Sequence, residues 1–171
     1  TEVRVVDPEN PAADVAPGAE GELVVRGPQV FSGYWKKPEE TEAVFVADPD
    51  GGAPWFRTGD IVTLDAEGFV RIVDRIKELI ITGGFNVAPS EVEEAVRSHP
   101  DVEDVAVVGV PDEHSGEQVV AVVVLRDGAT FDEAAIRAHA RDQLTPYKVP
   151  KRVVEVDDLP RSLIGKVLRR E

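Results

Sequence analysis

The 171-residue chain carries a formal net charge of −14 and contains no cysteine. That excess of acid disfavours nucleic acid and anionic membranes as broad-surface partners, and the missing thiols exclude a disulfide framework and any thiolate metal site. With 42% hydrophobic residues the chain has enough for a packed core, and no apolar run approaches the length of a membrane span.

The absence of cysteine fits a reducing cytosol. The chain has no methionine, no signal peptide opens it, and it begins inside the strand-like run TEVRVVD. It reads as an excerpt whose front part is missing. Its length suits one ordinary domain, or a small domain plus a piece of another. The charge is uneven: residues 145–171 carry a net +3 and the remainder −17. A basic tail on an acidic chain points to a focused anionic ligand, or more plainly to a solvated helix end with cations on its C-terminal side.

In chain order, TEVRVVD and GELVVRG read as Val-rich strands around a Pro/Gly/Asp loop. The turn-rich GPQVFSGYWKKPEET leads to a short helix predicted over 38–45, with proline near its start. WFRTGDIVTL and FVRIVDR read as strands joined by the hairpin signal DAEG. KELIITGGFNV reads as a strand interrupted by Gly83 and Gly84. PSEVEEAVRSHP is a predicted helix, with Ser90 and Glu93 as a capping box and Val92, Ala95 and Val96 on one face. VEDVAVVGVP and GEQVVAVVVLRDG follow as strands. TFDEAAIRAHARDQL is a second helix, with Thr130 and Glu133 as capping box and Ile136, Ala140 and Leu144 on one face. The strand RVVEV and the basic segment complete the chain, and no internal repeat is visible.

This order predicts an α+β chain: an all-β part over residues 1–74, then a small α+β domain over 78–171 with helices packed on one face of a sheet. Residues 75–77 join them as a short hinge.

Five runs occur in order: GELVVRGPQVFSGYW, WFRTGD, IVDRIKELIITGGFNVAPSEVE, VVGVPDEHSGE and YKVPKRVVEVDDLPRSLIGKVLRRE. Together they resemble the C-terminal third of the adenylate-forming superfamily, which holds acyl-CoA synthetases, luciferases and the adenylation domains of peptide synthetases. The IVDRIKELIITGGFNV run, with QLTPYKVPK before the lysine loop, is most similar to bacterial long-chain fatty-acid–CoA ligases. The resemblance implies that residues 1–74 are the β-rich end of a larger N-terminal domain and 78–171 a mobile cap. It implies an acid–thiol ligase: a fatty acid and ATP give acyl-adenylate and pyrophosphate, and coenzyme A then displaces AMP.

The resemblance also assigns roles. Lys166, in LIGKVLRR, stands where the family places the lysine of the adenylation step; an ammonium on a flexible stem can bridge the anions that meet there. The plain alternative is a surface lysine in a basic C-terminal helix. Asp60, closing FRTGD, matches the carboxylate that holds the ribose hydroxyls of AMP, or is simply a turn residue after Gly59. Arg75 resembles the arginine of the ribose and phosphate region, or pairs with Asp74 or Glu78 at the surface. Lys77 occupies the hinge position, or is an ordinary exposed strand residue. Gly83 and Gly84 would line the pantetheine channel, or form a β-bulge, or both. Lys148, Lys151 and Arg152 are candidates for the CoA phosphates. Gly33, Tyr34, Pro111 and Glu117 are read as structural.

His99, His114 and His139 are scattered without ligand spacing, so no metal site is expected in this chain. Mg²⁺ would arrive with ATP through phosphate oxygens. No P-loop is present. The family's own phosphate loop and acid pocket would lie upstream, so the isolated chain is expected to be inactive. The expected location is cytoplasmic, with peripheral membrane attachment through the missing upstream part as the alternative. Two other readings remain: an adenylation domain or fatty-acyl-AMP ligase that loads a carrier protein, and a non-catalytic nucleotide- or CoA-binding module.

Overall fold

The computed structural model describes residues 1–48 and 50–169, and the chain divides into two compact units, Thr1–Lys77 and Glu78–Glu171. Arg170, counted above with the basic tail, lies outside the described residues.

The first unit contains β1 (Glu2–Val6), β2 (Gly21–Arg26), α1 (Pro38–Ala43), β3 (Phe45–Val46), β4 (Trp55–Leu64) and β5 (Val70–Arg75). Its sheet runs β1-β2-β4-β3, with β5 also on β4, and every pairing is antiparallel. β4 is long enough to take β3 against Trp55 and Phe56 and β5 against residues 60–64. The expected DAEG hairpin forms: the Asp65 carboxylate accepts the N–H groups of Glu67 and Phe69, each at 2.9 Å, and Gly68 takes a positive φ. Helix α1 stops two residues before the expected end. Phe45 and Val46 pair with β4 instead, where an aromatic ring and a β-branched side chain fit a pleated surface, and the Phe45 and Phe56 rings meet at 5.6 Å. Val6, Val24 and Trp55 form the buried cluster, with the Arg26 guanidinium 4.2 Å from the Trp55 ring.

The second unit contains β6 (Ile80–Thr82), β7 (Phe85–Val87), α2 (Pro89–Arg97), β8 (Val102–Asp112), β9 (Gly116–Leu125), α3 (Glu133–Arg141) and β10 (Arg152–Glu155). The sheet order is β10-β9-β6-β7, with β8 also on β9. β10 runs parallel to β9. A parallel neighbour requires a crossover, and the segment holding α3 supplies it. β9 is central and buries Val119, Val120, Ala121 and Val123, as its Val-rich run dictates. Helix α2 buries Val92, Ala95 and Val96, and α3 buries Ile136 and Ala140. Those faces join the β8 and β9 valines in one core. Each fully buried valine or isoleucine contributes roughly 1.5–3 kcal/mol. The α+β class read from the sequence is the class observed.

Four local expectations need correction. Residues 76–78 form a single 3-10 turn rather than a strand. Gly83 and Gly84 do interrupt the strand run, but as the turn between two strands and not as a bulge. With φ of +57° and +82° they are the two-residue turn of the β6–β7 hairpin, a conformation for which glycine is the natural residue. Neither capping box forms. The N-cap of α2 is Ala88 with Pro89 in the first turn, and Glu93 instead accepts the Val107 N–H at 2.9 Å. The N-cap of α3 is Asp132, whose carboxylate accepts the Ala135 N–H at 3.0 Å, while Glu133 reaches the Val153 N–H. Finally, residues 156–169 hold no helix.

Candidate functional site

In the first unit the register of β4 and β5 sets Asp60 opposite Arg75, and Arg75 Nε lies 3.1 Å from Asp60 Oδ1. The Arg75 backbone N–H donates to Asp74 Oδ1 at 2.8 Å, while its guanidinium takes a cross-strand partner fifteen positions away. The Arg75 side chain is 63% exposed and that of Asp60 19%. As an ion pair this adds little stability, and much of the guanidinium surface stays accessible to a ligand.

The turn before Asp60 is held from beneath. Glu22, the second residue of the valine-containing β2, is only 1% exposed. Arg57 grips it through Nη2 at 2.5 Å and Nε at 2.8 Å, and its other oxygen accepts the Gly59 N–H at 3.2 Å. Thr58 Oγ1 donates to the Leu23 carbonyl and accepts the Asp60 N–H. Gly59 has φ +72°, so the chain swings the Asp60 carboxylate into place through a left-handed residue. The sequence reading missed Glu22 and Arg57. A lone glutamate in an apolar strand, answered by an arginine in another, was the available signal. Beside this turn lies a cleft of about 420 Å³ whose walls include Tyr34, Phe56, Gly59, Arg75 and Lys77.

Lys166 sits in the second unit on a short hairpin. Ser162 N–H donates to the Lys166 carbonyl at 2.7 Å, Gly165 N–H to the Ser162 carbonyl at 2.8 Å, and Leu168 N–H to the Pro160 carbonyl at 2.8 Å. Arg161 and Val167 bridge between them. Gly165 takes φ +81°, the left-handed residue that closes such a loop, and Leu159 is buried below it. The Lys166 side chain is exposed, and among the described residues no carboxylate holds its ammonium. Lys166 is thus displayed on a turn rather than along a helix.

The Gly83–Gly84 turn is fixed by a hydrogen bond from Gly83 N–H to the Ser115 carbonyl at 2.8 Å. A Cβ on either glycine would meet nothing within 4 Å, so an open surface lies above the turn. Phe85 beside it stacks on Tyr147 at 4.5 Å, and both rings are exposed. Lys148 is engaged: its ammonium lies 2.5 Å from Glu91. Lys151 and Arg152 are exposed at the start of β10. Lys77 is the central residue of the 3-10 turn.

The structure also gathers residues that were read as scattered. The His99 and His139 rings meet edge to face at 5.2 Å, and His139 Nε2 lies 2.7 Å from Ser98 Oγ. Among the described residues no group of three or more histidines and carboxylates is arranged to hold a metal ion. A wider hollow of about 880 Å³, between residues 99–101 and 128–137, contains none of the expected site residues. No helix among the described residues is long and apolar enough to cross a membrane.

One unit thus pairs a carboxylate with an arginine across two strands, and the other displays an ammonium on a closed glycine turn. Residues 91–166 match the AMP-binding enzyme C-terminal domain. Over all 171 residues the chain is 48% identical to a long-chain-fatty-acid–CoA ligase of Escherichia coli O157:H7, of which it covers 29%. Over 156 residues, 91% of the chain, it is 51% identical to a 2-succinylbenzoate–CoA ligase of Geobacillus kaustophilus, covering 31% of that protein. The crystal structure of ATP-bound MatB from Rhodopseudomonas palustris matches 97% of this chain and 32% of its own, with a TM-score of 0.86 and 46% identity. The chain therefore spans about three tenths of the length of the curated relatives it matches.

Proposed function

We propose that this chain is the C-terminal part of an ATP-dependent long-chain fatty-acid–CoA ligase. The observation that carries the proposal is Lys166, held out on a closed glycine turn in a chain 48% identical to such a ligase throughout its length. In the first step a carboxylate oxygen of the acid attacks the α-phosphorus of ATP. The bond to the bridging oxygen breaks and pyrophosphate leaves. Two anions are driven together, and the Lys166 ammonium stabilises the charge that develops between them. Asp60 accepts hydrogen bonds from the ribose hydroxyls, and Arg75 supplies donors to the ribose and phosphate side. Mg²⁺ would accompany ATP through its phosphate oxygens and offset their charge, and no residue of this chain is assigned to hold it.

In the second step the CoA sulfur attacks the acyl carbon, AMP leaves with the electron pair, and the thiol proton passes to solvent. Lys77 serves as the hinge between the two arrangements. The side-chain-free surface of Gly83 and Gly84 lets the pantetheine arm lie against the backbone. Lys151 and Arg152 meet the CoA phosphates; Lys148, held by Glu91, contributes less. The triphosphate loop and the acid pocket belong to the N-terminal part of the full-length protein. The setting is cytoplasmic, where ATP and CoA are available. CoA as acceptor has the firmer support, since both curated relatives named above use it while their acids differ.

In the full-length protein Lys166→Ala is expected to slow acyl-adenylate formation about a hundred- to a thousandfold while sparing thioester formation from supplied acyl-adenylate. Separate assays of the two half-reactions check this. Equal losses in both would remove Lys166 from the adenylation step.

A further inference from the structure

We propose that two arginine anchors, Arg161 and Arg169, position the Lys166 hairpin for adenylation; this rests on the role given to Lys166 above. Nζ of a lysine sits at the end of a flexible four-carbon stem, so its placement depends on the backbone that carries it. The Lys166 hairpin has a tip of Leu163 and Ile164, both in solvent, and only Leu159 buried beneath. Apolar packing alone leaves such a loop loosely set. The two arginines supply the missing constraint, one on each side of the turn.

On the entry side, Arg161 pairs with Asp104 of β8 and donates through Nη1 to the Gly165 carbonyl at 2.9 Å, across the turn next to Lys166. Asp104 is itself held by Arg97 of α2 at 3.3 Å. On the exit side, Arg169 forks onto Glu93 of α2, Nε to Oε1 at 3.1 Å and Nη2 to Oε2 at 3.0 Å, and its third nitrogen pairs with Glu78. Glu93 is buried, and its Oε1 also accepts the Val107 N–H of β8. A two-pronged arginine–carboxylate contact fixes angle as well as distance. Because Glu93 is buried and already tied to β8, the contact is far stiffer than a surface pair. The hairpin is thereby referenced to α2, to β8 and to the first residue of its own unit. Arg161 and Arg169 are positioning residues: they act on the reaction through Lys166.

The test uses the full-length protein, with acid-dependent ATP–pyrophosphate exchange for adenylation and CoA plus supplied acyl-adenylate for thioester formation. Because a displacement near 1 Å costs roughly a hundredfold in rate, Arg169→Ala is expected to lower the exchange kcat by about ten- to a hundredfold. The KM values for ATP and acid and the thioester step should stay near wild type. Arg169→Lys, which keeps charge but loses the fork, should recover only part of the loss. In a Lys166→Ala background Arg169→Ala should cost nothing further. If Arg169→Ala fails to fold, Arg161→Ala replaces it, since Asp104 retains Arg97 and no buried charge is orphaned. Equal loss in both half-reactions, or losses that multiply with Lys166→Ala, would overturn the proposal. Lys166→Ala alone separates the two levels. If it cripples exchange while the arginine variants do not, the anchors are wrong. If it leaves exchange intact, the role of Lys166 is wrong and the anchors fall with it.

Discussion

Asp60 carries one consequence that can be isolated chemically. Its carboxylate offers two acceptor oxygens, one engaged by Arg75 Nε. Asparagine keeps the shape and the turn but converts one acceptor into a donor. A hydrogen bond to a charged group contributes about 1.5–3 kcal/mol, which corresponds to roughly ten- to a hundredfold in affinity. Asp60→Asn in the full-length protein is therefore expected to weaken AMP binding by that factor with an unchanged melting temperature, measured by calorimetry and thermal denaturation. Unchanged AMP affinity would remove Asp60 from the nucleotide site. At this scale the sequence showed the residue but not its support. Asp60 and Arg75 were legible as separate matches to a pattern. Their pairing, and the buried Glu22–Arg57 contact beneath them, depend on strand register, which one-dimensional spacing does not give.

At the scale of elements, the β6–β7 hairpin separates two uses of glycine. Both turn residues take positive φ, and Asn-Gly is a pair that such a turn strongly favours. Gly83→Asn should leave the fold and melting temperature near wild type while placing a side chain on the open surface. If the pantetheine arm lies there, thioester formation slows and adenylation does not. Equal rates in both half-reactions would leave the glycines a purely structural turn. The β8–β9 turn makes a different prediction. The Ser115 hydroxyl first, then the N–H groups of Ser115 and His114, hold the Asp112 carboxyl below its ordinary value of 3.8. Folding thus favours the ionised form. Its contribution is complete above about pH 3.8 and is lost as pH falls through the depressed folded value. The difference in melting temperature between wild type and Asp112→Ala should accordingly be present at pH 7 and shrink towards pH 2.

The long strands, the DAEG hairpin and both longer helices were legible from period and turn residues, whereas helix starts were not. In the Ser90–Glu93 and Thr130–Glu133 patterns the glutamates are recruited by tertiary donors, Val107 and Val153, which a local capping rule cannot see. The hairpin under Lys166 was hidden for a related reason. Its rungs join residues across a single glycine, and its anchors come from β8, α2 and residue 78.

At the scale of the whole molecule, the two units meet in sequence at residues 77 and 78. The first ends at Lys77, inside a 3-10 turn of three residues. Proline fixes φ near −65°, a value such a turn already uses. Lys77→Pro is therefore expected to leave adenylation intact and to slow the CoA step, measured as separate half-reactions in the full-length protein; an unchanged second step would remove Lys77 as the hinge. The distribution of charge belongs to the same scale: residues 145–171 carry a net +3 on a chain of net −14.

The most direct measurement is a structure of the full-length protein trapped with a non-hydrolysable acyl-adenylate in the arrangement of the first step. The account predicts Lys166 Nζ within about 3 Å of the oxygens that join acid and phosphate. An ammonium left in solvent in that complex, with another cation in its place, would contradict it.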